Sequence, residues 1–152
     1  KDWKRLAERL GLADRIEWVG WPDYEQTLPH YRWADAFAFT SMRDTSGTGL
    51  LEALAAGTPI VGVDHQGAAD IMTPRCALPV PVGHPRDTIN GFATSLTTLA
   101  RDPGLWQQLS DGARREAEEH TWESQAETLF QWYGEAMKQA PAPAVSRAQS
   151  VP

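Results

Sequence analysis

The sequence predicts an α/β fold built on a parallel sheet, and three observations indicate it. Apolar strand-like segments alternate along the chain with amphipathic helical segments, which is the order in which helical crossovers join parallel strands. The segment AFAFTS, residues 36–41, is apolar on both faces, as is typical of a strand buried inside a parallel sheet. The segment TPIVGVD, residues 58–64, has the same character and follows a short helical segment of small residues.

The region before the segment AFAFTS predicts a helix, a strand and an interrupted helix. Residues 3–11 form the first helix, with leucines on one face and a glycine at its end. Residues 15–20, RIEWVG, alternate apolar and polar side chains and predict a strand. Residues 24–35 predict a short helix or a pair of turns, interrupted by Pro29.

The rest of the chain predicts one further strand and mostly helices. Residues 48–56 form a short helix that a glycine ends, residues 67–72 form a helical turn, and residues 76–82 form an edge strand with two prolines. The last helix carries an apolar stripe, begun by Trp122, that we assign to core or interdomain packing. Amphipathic helices are predicted over residues 86–103, 104–120 and 121–139.

Length and composition restrict the classes of protein to consider. The chain has 152 residues, of which 41% are hydrophobic, which suits one globular domain over residues 1–139 and a flexible Ala/Pro-rich tail over residues 140–152. A net charge of -6 without a basic stripe argues against nucleic acid as a partner. No apolar run is long enough to cross a bilayer. Cys76 is the one cysteine, which excludes an internal disulfide, and no pattern of metal-ligand spacing occurs.

Two carboxylates flank a loop of very small residues between the segment AFAFTS and the next helix. Asp44 and Glu52 are separated by seven residues, five of which, residues 45–49, are serine, threonine or glycine. Amides in the first turn of a helix favour an anion such as a diphosphate, and carboxylates accept hydrogen bonds from sugar or ribose hydroxyls. The alternative is ordinary turn chemistry, with Thr48 as an N-cap and Glu52 complementing the helix dipole.

The order of motifs resembles one family over nearly the whole chain. The segment EALAAGTPIV begins with Glu52, which seven residues separate from Asp44, and this pattern resembles the donor-site motif of retaining GT-B glycosyltransferases of family four. The segments YRWADAFAFTSMRD, VDHQGAADIM and EEHTWESQAE resemble further family motifs in the same order. The resemblance implies a Rossmann-like half of a GT-B fold, followed by C-terminal helices.

The resemblance also implies a role for each matching position. Glu52 would bind the ribose hydroxyls of the nucleotide, and Asp44 would bind hydroxyls of the transferred sugar. Gly20 lies where the nucleobase is met, and we add Trp21 as a stacking residue, although a core or surface tryptophan is an equal alternative there. Backbone amides that would face the sugar and the diphosphate belong to Ser46, Gly47, Thr48 and Gly49.

Departures from the family pattern bear on activity. Asp44 stands where the family has a glutamate, and Thr45 and Ser46 replace a Gly-Phe pair. Gln66 replaces the first glycine of the family's Gly-Gly pair. The family's Arg and Lys for the diphosphate, and its N-terminal acceptor domain, have no counterpart in this chain. We therefore expect an N-terminally truncated donor-binding domain that is inactive by itself.

Histidines and one further acid receive weaker assignments. His65 follows a strand and is interpreted as a donor-side residue or a solvated turn, whereas His84 is interpreted as a loop residue without a partner at ligand spacing. His30 and His120 are interpreted as structural. Asp64 is interpreted as a capping residue at the end of a strand, with orientation of the loop over residues 66–70 as the alternative.

The function predicted from the sequence is transfer of a sugar, with retention, from a nucleotide-diphosphate sugar to an acceptor hydroxyl. No cofactor and no metal are expected, and the acceptor would be a glycan, lipid or small molecule bound through the absent domain. The resemblance implies a cytoplasmic protein, or a membrane-peripheral one through that domain, in polysaccharide biosynthesis. A non-catalytic nucleotide-sugar-binding module is the alternative, and a sugar-nucleotide epimerase is a third hypothesis.

Overall fold

A computed structural model describes residues 2–43 and 47–139, and it shows a three-stranded sheet surrounded by helices. The predicted tail over residues 140–152 lies outside the described residues, and the division into domain and tail stays a prediction. The strands are β1 (Phe37–Phe39), β2 (Ile60–Asp64) and β3 (Ala77–Pro81). The helices are α1 (Asp2–Arg9), α2 (Tyr24–Trp33), α3 (Thr48–Ala56), α4 (Gly67–Ile71), α5 (Pro85–Arg101), α6 (Pro103–Glu119) and α7 (Trp122–Gln139), with a 3₁₀ turn at Ala13–Arg15.

The sheet is entirely parallel and has the order β1-β2-β3. Ile60 of β2 lies opposite Phe37 on one side and Ala77 on the other, so β2 is the central strand. Parallel strands place all their carboxyl ends at one edge of the sheet. Since α3 and α4 begin just after β1 and β2, both helices start at that edge, and the predicted α/β class is confirmed.

The predicted strand over residues 15–20 is wrong. In the structure residues 16–20 are irregular, and the side chains of Ile16, Trp18 and Val19 are exposed. A strand requires hydrogen bonds to a neighbouring strand, and no strand of the described residues lies beside this segment. Alternation of apolar residues was therefore insufficient evidence for a strand here.

The segment AFAFTS forms a shorter and more exposed strand than predicted. Only Phe37–Phe39 is strand, Phe39 is buried, and Ala38 on the opposite face is exposed. Within the described ranges β1 pairs only with β2, so it is an edge strand rather than an interior one. β3, predicted as an edge strand because of its prolines, does lie at the other edge.

The two faces of β2 pack into two different clusters. Ile60 belongs to a cluster with Leu50 and Leu54 of α3, all three fully buried. Val61, one residue later, faces the opposite side and packs with Leu99 of α5 and Leu109 of α6. Because successive strand residues point to opposite faces, one strand supports both layers. Each such buried side chain contributes about 1.5–3 kcal/mol relative to exposure.

Helix α2 continues through Pro29 rather than being interrupted there. Proline has no amide hydrogen, so the helix loses one backbone hydrogen bond at this position. A capping box compensates at the start of α2, where the Asp23 side chain and the Gln26 side chain each bond the backbone of the other. Pro29 itself is exposed, which leaves room for its ring on the outer face.

Helix α7 does not join the core. Within the part of the chain that the structure describes, no residue of α7 is buried, and Trp122 and Phe130 are 89% and 83% exposed. The core interpretation of its apolar stripe is therefore wrong, and interdomain packing stays a prediction. No helix of the described residues is long and apolar enough to span a membrane.

An ion-pair cluster joins the end of α6 to the turn before β3. The Glu116 side chain is almost fully buried, and its Oε2 lies 2.9 Å from both Arg75 Nη2 and Thr73 Oγ1. Arg75 also bonds the half-exposed Glu119. His120 lies 3.8 Å from Glu116 Oε1, which supports its interpretation as a structural residue.

Candidate functional site

The candidate site lies at the edge of the sheet where β1 and β2 end. Asp44 and Ser46 follow β1 in the sequence but lie outside the described residues, so their predicted roles stay predictions. The other predicted loop residues begin α3: Gly47 is its N-cap, and Thr48 and Gly49 are its first two residues. The N-cap is thus Gly47 and not Thr48. The structure therefore places the small-residue segment at a helix N-terminus, as an anion site would require.

Gly47, at the beginning of α3, lies close to Ile71, the last residue of α4. Its φ of 62° is left-handed, and a Cβ at this position would lie 2.5 Å from Ile71 Cδ1. A side chain here would therefore strain the backbone and displace the Ile71 side chain. The carbonyl of Gly47 accepts hydrogen bonds from the amides of Leu50 and Leu51, which closes the first turn of α3.

Glu52 has a tyrosine of the neighbouring helix beside it. The side chains of Tyr31, in α2, and of Glu52 are both partly buried. They line a cavity of about 120 Å³ between α2 and α3, together with Tyr24, Leu28, Arg32, Ala55 and Ala56. The Glu52 carboxylate therefore lies next to a hydroxyl group inside the domain rather than fully in solvent.

Tyr31 is itself fixed from three sides. The Thr58 hydroxyl, 2% exposed as a residue, donates to the Tyr31 carbonyl. The ring meets Phe37 edge to face, with ring centroids 5.3 Å apart and planes at 68°. A Cβ on Gly49 would lie 3.3 Å from the Tyr31 hydroxyl oxygen, so the glycine lets α3 approach this hydroxyl.

The tyrosine remains a hydrogen-bond donor at neutral pH. Burial, the hydrogen bond to Glu52 and the negative charge of Glu52 raise the pKa of Tyr31 to about 12. Each of these causes disfavours the phenolate, because a second negative charge next to a carboxylate would be repelled in a partly buried place.

A second cavity lies on the other side of Tyr31. It measures about 360 Å³, and Gly20, Val19 and Pro22 from the irregular segment meet Tyr31 and Phe37 there. The structure therefore brings Gly20, Gly49 and Glu52 around one tyrosine. Trp21, in contrast, is fully exposed and does not line this cavity, so its stacking role stays a prediction.

The connection between β2 and α4 is strained at the same edge. Gln66 has φ 51° and ψ -146°, a conformation that side chains rarely adopt, and it is the one non-glycine residue with positive φ among the described ranges. Such strain costs of order 1–3 kcal/mol and is often found beside functional sites. A glycine at position 66, where the resembled family has one, would relieve this backbone strain.

We expect Gln66→Gly to stabilise the domain by about 1 kcal/mol, since relief of strain exceeds the extra entropy that glycine loses on folding. Urea unfolding followed by circular dichroism measures the change. Gln108→Gly, in the interior of α6, is the matched control and should destabilise by about 1 kcal/mol. Equal destabilisation by both variants would show that Gln66 is not strained.

The histidines of the described residues are not grouped with other possible metal ligands. His84 is exposed and is the N-cap of α5, where its Nδ1 accepts a hydrogen bond from the Arg86 amide at 3.3 Å. His65 is partly buried just after β2. Within residues 2–43 and 47–139, no group of three or more His, Cys, Asp or Glu side chains is placed to hold a metal ion.

Sequence reasoning missed Tyr31 as a site residue. The tyrosine begins the segment YRWADAFAFTSMRD, which carried part of the family resemblance, but its partner lies 21 positions later in another helix. The available indication was the coincidence of a motif tyrosine with an acid on the next helix. Spacing along the chain alone gives no hydrogen bond between the two.

The fold of this α/β domain is similar to that of solved GT-B glycosyltransferases. Sucrose-phosphate synthase from Thermosynechococcus elongatus superposes with a TM-score of 0.75 and 26% identity, over 91% of this chain and 34% of that chain. WaaG, a glycosyltransferase involved in lipopolysaccharide biosynthesis, shares the fold with a TM-score of 0.63, over 77% of this chain and 30% of that chain, at 21% identity.

The sequence profile of glycosyl transferases group 1 matches residues 1–115, and the chain belongs to this family. D-inositol 3-phosphate glycosyltransferase of Streptomyces bingchenggensis strain BCW-1 is 30% identical over 135 residues, and that of Salinispora tropica is 34% identical over 133 residues. These matches cover 88% and 87% of this chain. The chain spans only 29% and 27% of the relatives' lengths.

Proposed function

We propose that this chain binds the nucleotide-diphosphate sugar donor of a retaining hexosyltransferase. The observation that carries the proposal is the half-buried Glu52 carboxylate, next to Tyr31 in one cavity and one turn behind the N-terminus of α3. A carboxylate held in this way can accept charge-assisted hydrogen bonds from two vicinal hydroxyls. Membership of the glycosyl transferases group 1 family supports sugar transfer as the reaction.

The beginning of α3 would stabilise the negative charge of the donor. Positive potential at a helix N-terminus favours the diphosphate, and its stabilisation grows as the sugar–phosphate bond breaks. In the reaction the acceptor oxygen forms the new bond to the anomeric carbon, and the nucleoside diphosphate leaves with the bonding electron pair. The acceptor hydroxyl passes its proton to the departing diphosphate, so that atoms and charge balance.

The partners follow from this chemistry. The donor would lie at the edge formed by residues 47–49 and Glu52, with Asp44 against the sugar and Gly20 near the nucleobase. An acceptor glycan, lipid or small molecule would bind through a separate domain of the whole protein. We propose that neither a metal nor a cofactor takes part, and that the reaction occurs in the cytoplasm, in polysaccharide biosynthesis.

Glu52→Gln in the whole protein should weaken binding of the nucleoside diphosphate itself. Loss of charge-assisted hydrogen bonds to the ribose is expected to cost roughly 1.5–3 kcal/mol, about a 10- to 150-fold lower affinity. Calorimetric titration with ADP, CDP, GDP and UDP measures it. Glu127→Gln, which makes the same charge change on the exposed surface of α7, is the control.

Asp44→Ala distinguishes the two acids in the same assays. If Asp44 meets only the sugar, this variant should lower transfer of labelled sugar and leave the affinity for the bare diphosphate nearly unchanged. A loss of diphosphate affinity equal to that of Glu52→Gln would contradict this division of roles. Normal diphosphate binding without any transfer by the unmodified protein would instead favour the non-catalytic module.

A further inference from the structure

We propose that Tyr31 is a positioning residue that orients Glu52 toward the ribose of the bound nucleotide. This inference rests on the proposed function, in which Glu52 accepts hydrogen bonds from the ribose. Tyr31 acts through Glu52 and needs no contact with the ligand. It would set how well the site distinguishes a ribonucleotide from a 2′-deoxyribonucleotide.

A hydrogen bond from Tyr31, which lines the same cavity as Glu52, would leave Glu52 free to bind a ligand. A carboxylate has two oxygens with about four acceptor positions, and the Tyr31 hydroxyl would use one of them. The remaining positions can accept the two vicinal hydroxyls of a ribose. Without the tyrosine hydroxyl, the flexible glutamate side chain would have to lose its rotational freedom when the ligand binds.

Neighbouring residues hold the backbone and the ring of Tyr31 in a fixed position. Its carbonyl is bonded by the buried Thr58, and its ring packs against Phe37, so neither its backbone nor its ring is free to move away. Gly49 and Glu52 are three residues apart and share one face of α3. That face meets the tyrosine hydroxyl, because the missing side chain of Gly49 allows the approach.

Protonation supports the same role. Because the pKa of Tyr31 is raised to about 12, the hydroxyl keeps its proton and donates to the carboxylate throughout the physiological range. A tyrosine that only filled space between α2 and α3 would not need a hydroxyl at this position. The phenylalanine variant therefore separates orientation of Glu52 from packing.

The test compares ribose and deoxyribose ligands in the whole protein. The tightest of ADP, CDP, GDP and UDP is titrated against wild type and Tyr31→Phe, together with its 2′-deoxy counterpart. We expect the affinity for the ribonucleotide to fall about tenfold and that for the deoxyribonucleotide to change little, so the ratio of affinities narrows. Tyr133→Phe on the exposed face of α7 is the matched control and should change neither affinity.

A double variant establishes that Tyr31 acts through Glu52. Adding Tyr31→Phe to Glu52→Gln should produce little further loss, because the carboxylate to be oriented is already gone. Thermal melting of Tyr31→Phe should stay close to wild type, since the ring is retained.

The outcomes separate the inference from the proposed function. If Glu52→Gln weakens ribonucleotide binding while Tyr31→Phe leaves the ribose-to-deoxyribose ratio unchanged, Tyr31 is a packing residue and the inference is wrong. An equal loss for both sugars in Tyr31→Phe would also overturn it. If Glu52→Gln has no effect, or none of the four diphosphates binds, the proposed function itself is overturned.

Discussion

Gly112→Ala should destabilise the domain by about 3 kcal/mol or more, although alanine normally favours a helix. A Cβ at this position in α6 would lie 1.8 Å from the carbonyl oxygen of Arg75 and 2.7 Å from its carbonyl carbon. The obstacle is backbone, which cannot rotate aside as a side chain can. The turn is also fixed, because the Cys76 amide bonds the Thr73 carbonyl and the Cys76 carbonyl accepts from Ile60 of β2.

Chemical unfolding with urea measures this effect. Gly134→Ala is the matched control, since the same methyl group would meet no atom within 4 Å on α7. It should stabilise the domain by about 0.5–1 kcal/mol, the usual advantage of alanine in a helix. The two variants are thus expected to differ in sign, and stabilisation by both would show that α6 does not approach the Arg75 carbonyl so closely.

Glu116→Ala should reduce the free energy of unfolding by about 3 kcal/mol, at the lower end of the range for breaking a buried ion pair. The variant leaves the Thr73 hydroxyl without its carboxylate acceptor and opens a void at the end of α6. The loss of stability is kept to the lower end of this range because Arg75 is half exposed and keeps Glu119 as a second partner.

That second partner supplies the control. Glu119 bonds the same Arg75 with both carboxylate oxygens, but its side chain is 56% exposed. Exposed ion pairs contribute little, so Glu119→Ala should change the midpoint of thermal unfolding far less than Glu116→Ala. Equal shifts would mean that burial of Glu116 has no part in its contribution.

Elements with local chemical boundaries could be predicted from the sequence. The sequence predicted helix α3 over residues 48–56, and the structure shows the same bounds. The prediction succeeded because a glycine can end a helix in the left-handed conformation, as Gly57 does with φ 75°. The strand predicted over residues 15–20 was wrong because a strand has no local boundary signal that suffices and requires a neighbouring strand to pair with. The interruption predicted at Pro29 was also wrong, because a capping box at the start of α2 offsets the cost of the one hydrogen bond that the proline removes.

The candidate site could be predicted only in part. The helix N-terminus follows from adjacent residues, and the structure confirms that α3 begins after Gly47. The role of Glu52 stays a prediction. Tyr31 could not be found in that way, because its place beside Glu52 depends on how α2 packs against α3. Burial of Glu116 was not predicted either, because its partner Thr73 lies 43 positions earlier in the chain.

The prolines of β3 have a consequence for self-association. Pro79 and Pro81 lie opposite Gly62 and Asp64 of β2, and neither proline has an amide hydrogen to donate to that strand. They must occupy positions where an ordinary amide would point away from the sheet. The outer edge of β3 therefore offers no donor at two successive places, so a strand of another molecule cannot extend the sheet there. On this side the domain is protected against edge-to-edge aggregation, even when neighbouring copies are crowded together.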